Sequence, residues 1–457
     1  MEDMDFFELA TRLLNEKKYV TLKKILEEEE PVDIASLLEE LPHNQLLLAF
    51  RLLPKEPAAE VFAYLDPDQQ EALIQSFSDN ELREVLDELY IDDAVDMIEE
   101  MPANVVKRIL RHTSAEMRAD INNLLKYPKD SAGSLMTTEY VDLKKMLTVR
   151  DAIRHIRRTG IDKETIYTCY VTDENRLLIG YLSVKDLLLN ESDTLIEDIM
   201  DTSVISVNTM TDKEEVANLL SRYDFIAMPV VDGDGRLVGI VTVDDAIDVI
   251  TDEATEDIQK MAGIVPTDED YMKSGVIDIW SKRIPWLLLL MLSATFTGII
   301  ISGFESALAA CVTLTAFIPM LMDTGGNSGS QSAVTIIRSI SLGDVQFSDI
   351  LKIIWKEIRV AVLCGVTLAG ANFVKMMLID RLLMNNEEVT LLVALVVCLT
   401  LVIVIIFAKV IGCSLPLIFD KFGFDPAIMS SPFITTIVDA ISLLIYFCIA
   451  SSILPGI

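Results

Sequence analysis

Residues 284–457 are dominated by apolar stretches of bilayer length, and the final stretch carries a carboxylate, Asp439, near its middle. Five stretches, at about 284–302, 308–337, 358–379, 391–414 and 428–454, lie near the ~20 residues a helix needs to cross a bilayer. Backbone polar groups in lipid must be satisfied within each segment, so these stretches are read as helices. A carboxylate at that depth is costly unless it faces water or a counter-charge, and it marks an ion path by default.

The second stretch contains the other polar material: Pro319 to Gln331 includes Asp323, Gly325, Gly326, Asn327 and Gly329. Gly325 and Gly326 are expected to open the helix and free backbone carbonyls, while Asn327 and Gln331, four apart, put two amides on one face. In the last stretch Pro432 is expected to free another carbonyl, and Ser431, Thr435 and Asp439 follow one another at spacings of four. The competing reading makes the small residues packing surfaces and the amides interhelical glue, and it suits Gly329 and Ser442 best. Lys409 is a potential partner for Asp439, although it is expected in a different layer.

Composition separates this region from the rest. Residues 1–283 hold 60 of the 71 acidic and 30 of the 38 basic residues, a net charge near −30, whereas the remainder is close to neutral. Such an excess repels nucleic acid and attracts divalent cations, the alternative being that it serves only solubility. The three histidines, His43, His112 and His155, have no ligand-like spacing to one another or to cysteine, so a zinc site is not expected. The six cysteines read as free thiols. No cleavable signal is expected from Met1-Glu2-Asp3-Met4-Asp5, so the first span directs insertion. Lys282 and Arg283 before the first span, and Lys352, Lys356 and Arg359 before the third, place the acidic part in the cytoplasm and the C-terminus outside.

Between residues 41 and 102 a large residue followed by a helix interrupter recurs every twelve positions, as in Leu41-Pro42, Leu53-Pro54 and Met101-Pro102. The period predicts short helices stacked into a superhelical array. From Leu135 to Asp248 a hairpin-then-helix pattern occurs twice. The elements Gly180, Ser183, Asp186 and Gly239, Thr242, Asp245 make it resemble a tandem pair of CBS domains. That resemblance implies a regulatory module that often binds adenine nucleotides, with Ser183, Asp186, Thr242 and Asp245 as contacts; the alternative is that Thr242 and Asp245 only cap the following helix. An acidic connecting helix follows.

Hard oxygen ligands without thiolate or imidazole favour magnesium or calcium, and a wide site of carbonyls, an amide and one carboxylate suits hydrated Mg²⁺. The Pro319–Gln331 element, the sequence from Asp425-Pro426-Ala427 to Asp439, and the domain order together resemble the MgtE family of magnesium channels and transporters. The resemblance implies a multidomain protein: an acidic helical-repeat domain at 1–130, tandem α/β CBS domains at 131–250, a connecting plug helix and linker at 251–282, and a five-helix membrane domain at 283–457. It further implies a homodimer with Asp439, Asn327, Gly325 and Gly326 at the pore metal site. Regulatory Mg²⁺ would bind Asp92, Asp96, Asp212, Glu214, Asp224, Asp245, Asp248, Glu253, Glu256 and Asp257. Asp323 stands where an uncharged residue is expected, and its role is open.

The expected activity is Mg²⁺ uptake across the cell membrane, closed by cytosolic Mg²⁺, with ATP at most a regulator and no catalysis. The alternatives are a broader carrier of Co²⁺, Mn²⁺ or Ni²⁺, a membrane sensor that binds divalent ions without transport, and a membrane-embedded enzyme.

Overall fold

A computed structural model describes residues 6–267, 271–429 and 431–454. The first five residues, on which the expectation about a signal rests, lie outside these ranges, as does Ser431's side chain. The chain divides into two compact units, Met1–Ile250 and Thr251–Ile457.

The first unit begins with α1 (Phe6–Asn15), α2 (Tyr19–Leu26), α3 (Pro31–Glu40), α4 (His43–Phe50), α5 (Lys55–Ala63), α6 (Pro67–Ser76), α7 (Asp79–Leu86), α8 (Ile91–Glu100), α9 (Ala103–His112) and α10 (Ala115–Leu124). From Tyr19 to Ala115 every helix starts twelve residues after the one before, so the repeat runs well beyond residues 41–102. Proline supplies many of the starts. Pro31 and Pro67 occupy first helical positions, where the missing N–H has no intrahelical partner to lose. Where proline is absent, Ser78 caps α7 in a reciprocal box with Glu81, and the Ser114 side chain accepts from Met117 N. Short helices bury little alone. Phe50, Phe62 and Phe77 bring three of them together, with ring centroids 5.4–6.4 Å apart.

After a single turn, α11 (Ala132–Leu135), come two like halves. The first contains β1 (Val141–Lys144), α12 (Val149–Thr159), β2 (Thr168–Thr172), β3 (Leu178–Ser183), α13 (Val184–Leu189) and α14 (Ile196–Ile199). The second contains β4 (Val207–Asn208), α15 (Lys213–Tyr223), β5 (Ala227–Val231), β6 (Leu237–Thr242) and α16 (Val243–Met261), which passes into the second unit. Each sheet has a parallel strand added to the predicted antiparallel hairpin, in the orders β1-β2-β3 and β4-β5-β6. Gly180 pairs with Val171 and Gly239 with Val230. A Cβ on Gly239 would stand 2.8 Å from the Thr137 carbonyl oxygen, and one on Gly180 3.0 Å from that of Asp201, so close backbone approach favours glycine at both places.

The second unit contains α17 (Val276–Gly303), α18 (Glu305–Ala310), a 3₁₀ segment at Val312–Phe317, α19 (Ile318–Ser341), α20 (Ile350–Lys375), α21 (Leu391–Lys421) and α22 (Ser431–Ile453). The end of α20 continues as a π-helix over Met376–Leu383. Among the described residues, four segments are long and apolar enough to cross a membrane: α17, Phe347–Leu383, α21 and Pro432–Ile453. The 24-residue α19 has the length, but its amides, serines and glycines keep it out of that set. α21 packs against α19, α20 and α22.

Two local expectations are corrected. Gly325 and Gly326 do not open α19, which is helical without interruption from Ile318 to Ser341. They are contact points: a Cβ on Gly325 would lie 2.7 Å from Val404 Cγ1, and one on Gly326 2.8 Å from Thr435 Cγ2. Pro432 likewise breaks nothing, because it sits in the first turn of α22, where its carbonyl accepts from the Thr435 and Thr436 hydroxyls at 2.9 and 3.0 Å. Sequence marks glycine as permissive, but only neighbours decide whether that freedom is used for bending or for approach. The Gly329–Gly412 crossing is the tightest of these, since a Cβ on Gly412 would strike the Gly329 carbonyl. Gly412→Val should therefore lower the thermal midpoint of the detergent-solubilised protein by the equivalent of ~1–3 kcal/mol or more. Gly298→Val, in open space on α17, should change it far less, as differential scanning fluorimetry would show.

Candidate ion path and acidic cleft

Asp439 is half-buried on α22. Across from it, α19 presents Asp323, Asn327, Gln331 and Thr335, all exposed and four residues apart. Asn327 Nδ2 donates to Asp323 Oδ1 at 3.1 Å. The two amides thus share a face, as their spacing predicts. Apolar positions of the same helix, Leu321, Ala333, Ile336 and Ile337, are buried. The helix therefore turns its hydrocarbon side inward and its polar side outward from the single chain, the reverse of what lipid favours.

Lys409 is committed elsewhere. It is only 5% exposed, on α21, with Nζ 3.6 Å from Glu357 Oε2 on α20 and donating to Ser332 Oγ at 3.2 Å. Ser332 in turn donates to Glu357 Oε2 at 2.6 Å. Among the described residues no basic side chain pairs with Asp439, so its charge awaits water or a cation.

The first unit contains a cleft of about 680 Å³ with eleven carboxylates and one lysine, Lys129, in its wall. Asp92, Asp93 and Asp96 come from one side of α8, and Asp244, Asp245 and Asp248 from the first two turns of α16. Sequence reading named four of these six; it missed Asp93 and Asp244, adjacent in the chain to Asp92 and Asp245. It also missed Glu60 and Glu164. Glu164 Oε2 is buried without a hydrogen-bond partner, a position that favours either a proton or a cation.

Burial, then the charge of Asp93, pushes Asp92 up to about 8. Burial and surrounding carboxylates push Asp93, Asp96 and Asp245 to about 7 and Glu164 to about 9. Asp96 and Asp248 still reach water at the rim. Near neutral pH the cleft is thus only partly ionised, and a divalent cation would compete with protons for it. Among the described residues no three His, Cys, Asp or Glu side chains form a ready-made metal site, so the cleft matches a water-clad ion better than a fully dehydrated one.

The wall of this cleft includes none of the other predicted regulatory residues. Asp212 and Asp224 cap the two ends of α15, where Asp212 accepts from Glu214 N at 2.9 Å and Asp224 takes the left-handed conformation at φ 53°. Glu253, Glu256 and Asp257 belong to the second unit. There Asp257 accepts from the Ser341 hydroxyl at 3.1 Å, and Lys260 bridges Glu256 and Asp425, each at 2.5 Å. The connecting helix is thereby tied to the segment before α22. Of the nucleotide contacts, Ser183 and Asp186 form a capping box on α13, and Thr242 donates to Asp245 at 2.6 Å at the start of α16. A small apolar cleft of about 50 Å³ lies instead beside Tyr170, Tyr181, Ile205 and Phe225.

Known proteins share this order of domains. Residues 318–449 match a family model described as a divalent cation transporter, MgtE; residues 29–130 match the MgtE intracellular N domain, and 132–192 and 196–252 match CBS domains. A magnesium transporter MgtE of Thermus thermophilus is 39% identical over 95% of this chain and 96% of its own. The chain belongs to the MgtE family. A magnesium transporter MgtE of Bacillus subtilis is 33% identical over the full length of both chains. Among solved structures, the cytosolic domain of the Mg²⁺ channel MgtE in complex with ATP is 41% identical, with a TM-score of 0.50 over 52% of this chain and 98% of that one. As an MgtE protein with several apolar helices, the chain is a multi-pass membrane protein whose N domain is intracellular.

Two outcomes follow from the electrostatics. Carboxylates raised in the fold above the ~3.9 of a free Asp give stability that is full below about pH 4 and lost as pH rises through about 7 to 8. In chelator, the thermal midpoint of the detergent-solubilised protein should fall across that window, and Mg²⁺ should restore more of it at pH 8 than at pH 5.5. Lys409→Met should cost ~3–5 kcal/mol by stranding Glu357, whereas Lys409→Met with Glu357→Gln should recover most of that loss in chemical denaturation.

Proposed function

We propose that this protein is a Mg²⁺ channel of the MgtE family, carrying the ion into the cell down its electrochemical gradient and closed by Mg²⁺ in the cytosol. The observation that carries this reading is the uncompensated Asp439 beside the exposed polar face of α19. A second copy would cover that face around a common axis, giving a homodimer with α19 and α22 about a water-filled path and α19 as the fifth span. Asn327 would contact the ion's water shell, while Gly325 and Gly326, expected there from sequence, would serve the path by letting α22 pack close to α19. Oxygen ligands of this kind admit Mn²⁺, Co²⁺ and Ni²⁺ as well, so selectivity for Mg²⁺ rests on the family's named substrate and on the reluctance of Mg²⁺ to lose water.

The acidic cleft supplies the feedback. With eleven carboxylates facing one another, the walls repel unless protons or divalent ions intervene. Mg²⁺ bound among Asp92, Asp96, Asp245 and Asp248 holds the cleft shut and so favours one conformation of α16, the helix that runs on into the second unit. Because the ion binds that conformation better, it shifts the population toward it, which makes closure a response to cytosolic Mg²⁺. Asp212, Glu214, Asp224, Glu253, Glu256 and Asp257 would add further regulatory contacts. An adenine nucleotide at the CBS pair, as in the solved relative's ATP complex, would adjust the same equilibrium; Ser183, Asp186, Thr242 and Asp245 would contact it.

Mg²⁺ flux into liposomes containing the full chain tests both parts. Asp439→Asn should abolish uptake with the dimer intact, and the combined Asp92→Asn and Asp245→Asn variant should keep conducting at internal Mg²⁺ that silences the wild type. Binding of divalent ions without any flux would favour a sensor and overturn the channel.

A further inference from the structure

The pore reading above leaves Asp323 without a role, and the packing of α19 on α22 supplies one. The two helices run antiparallel, because Gly326 meets Thr435, Gly325 meets Val438 and Gly329 meets Ile434. One turn along from the Gly326–Thr435 contact, three residues back on α19 and four forward on α22, stand Asp323 and Asp439. That register places the two acidic residues on adjoining turns of packed helices. The Asn327 amide hydrogen-bonds one oxygen of Asp323, leaving the second for water or a cation.

The geometry points to Asp323 as a second carboxylate of the ion path, which with Asp439 takes a hydrated divalent cation and sets the preference for divalent over monovalent ions. This rests on the pore reading. An ordinary i,i+4 pairing of Asp323 with Asn327 is a surface-helix feature worth little, and it gives no reason to place a charge in a span. Two facing carboxylates repel each other until a cation lies between them, and a doubly charged ion interacts with the pair about twice as strongly as a singly charged one. Cation affinity at oxygen sites follows the number of ligand charges, so removing one of two should be felt mainly as weaker occupancy.

The test is uptake into liposomes by the full chain, with Mg²⁺ varied against a fixed K⁺ background. Asp323→Asn should raise the half-saturating Mg²⁺ concentration by roughly tenfold and increase K⁺ leak, while Asp439→Asn abolishes Mg²⁺ flux. Asp323→Glu, which keeps the charge, should stay within about threefold of wild type and guards against a folding defect in the amide variant. If Asp439→Asn abolishes flux but Asp323→Asn leaves half-saturation and K⁺ exclusion unchanged, the assignment of Asp323 fails and the pore reading stands. If Asp323→Glu is as impaired as Asp323→Asn, charge is not what matters there and the assignment also fails. If neither Asp439→Asn nor Asp323→Asn alters flux, the pore reading itself is wrong.

Discussion

Everything in the membrane unit turns on where Lys409 spends its charge. A lysine and a carboxylate in one apolar bundle would ordinarily neutralise each other, and Asp439 would then be a structural ion-pair partner. Instead Glu357 and Ser332 hold Lys409, buried between α19, α20 and α21. A buried pair of this kind contributes little net stability but is expensive to split. Its consequence is positional: it keeps Lys409, the one buried lysine among the described residues of the bundle, away from Asp439.

The same logic of uncompensated charge operates in the first unit at larger scale. There eleven carboxylates share a cleft with a single lysine, and burial together with mutual repulsion raises Asp92, Asp93, Asp96, Asp245 and Glu164 to about 7–9. Protons and divalent cations are the two species able to relieve that repulsion. α16 carries three of the carboxylates in its first turns and, further along, Lys260, which bonds Asp425. One helix thus bears both the ion-responsive group and the attachment that precedes α22. In the proposed mechanism that continuity is what converts cation binding into gating.

Much of the fold was legible because it repeats. The twelve-residue period is written in Pro42, Pro54 and Pro102, and the paired Gly-x-x-Ser/Thr-x-x-Asp elements announce two like α/β halves. The parallel strands β1 and β4 escaped because they are four and two residues long and their partners lie more than twenty residues away. Gly325, Gly326 and Pro432 were misread for a shared reason. Each is a helix breaker in isolation, and only the positions of Val404, Thr435 and the first turn of α22 reveal that nothing is broken. Asp439 and Asn327 could be named from polarity within apolar runs. Glu164 could not, since it lies in a connection without periodicity and acquires its meaning from Asp92 and Asp244, far away in sequence.

The central claim is that an ionised, unpaired Asp439 holds a divalent cation within the apolar layer. Anomalous difference density from crystals grown in Mn²⁺, a hard divalent ion with an absorption edge, addresses it directly. The account predicts a peak beside Asp439, at a separation that leaves room for water, and its loss in crystals of Asp439→Asn. An empty position next to Asp439 in a protein shown to transport Mn²⁺ under the same conditions would contradict it.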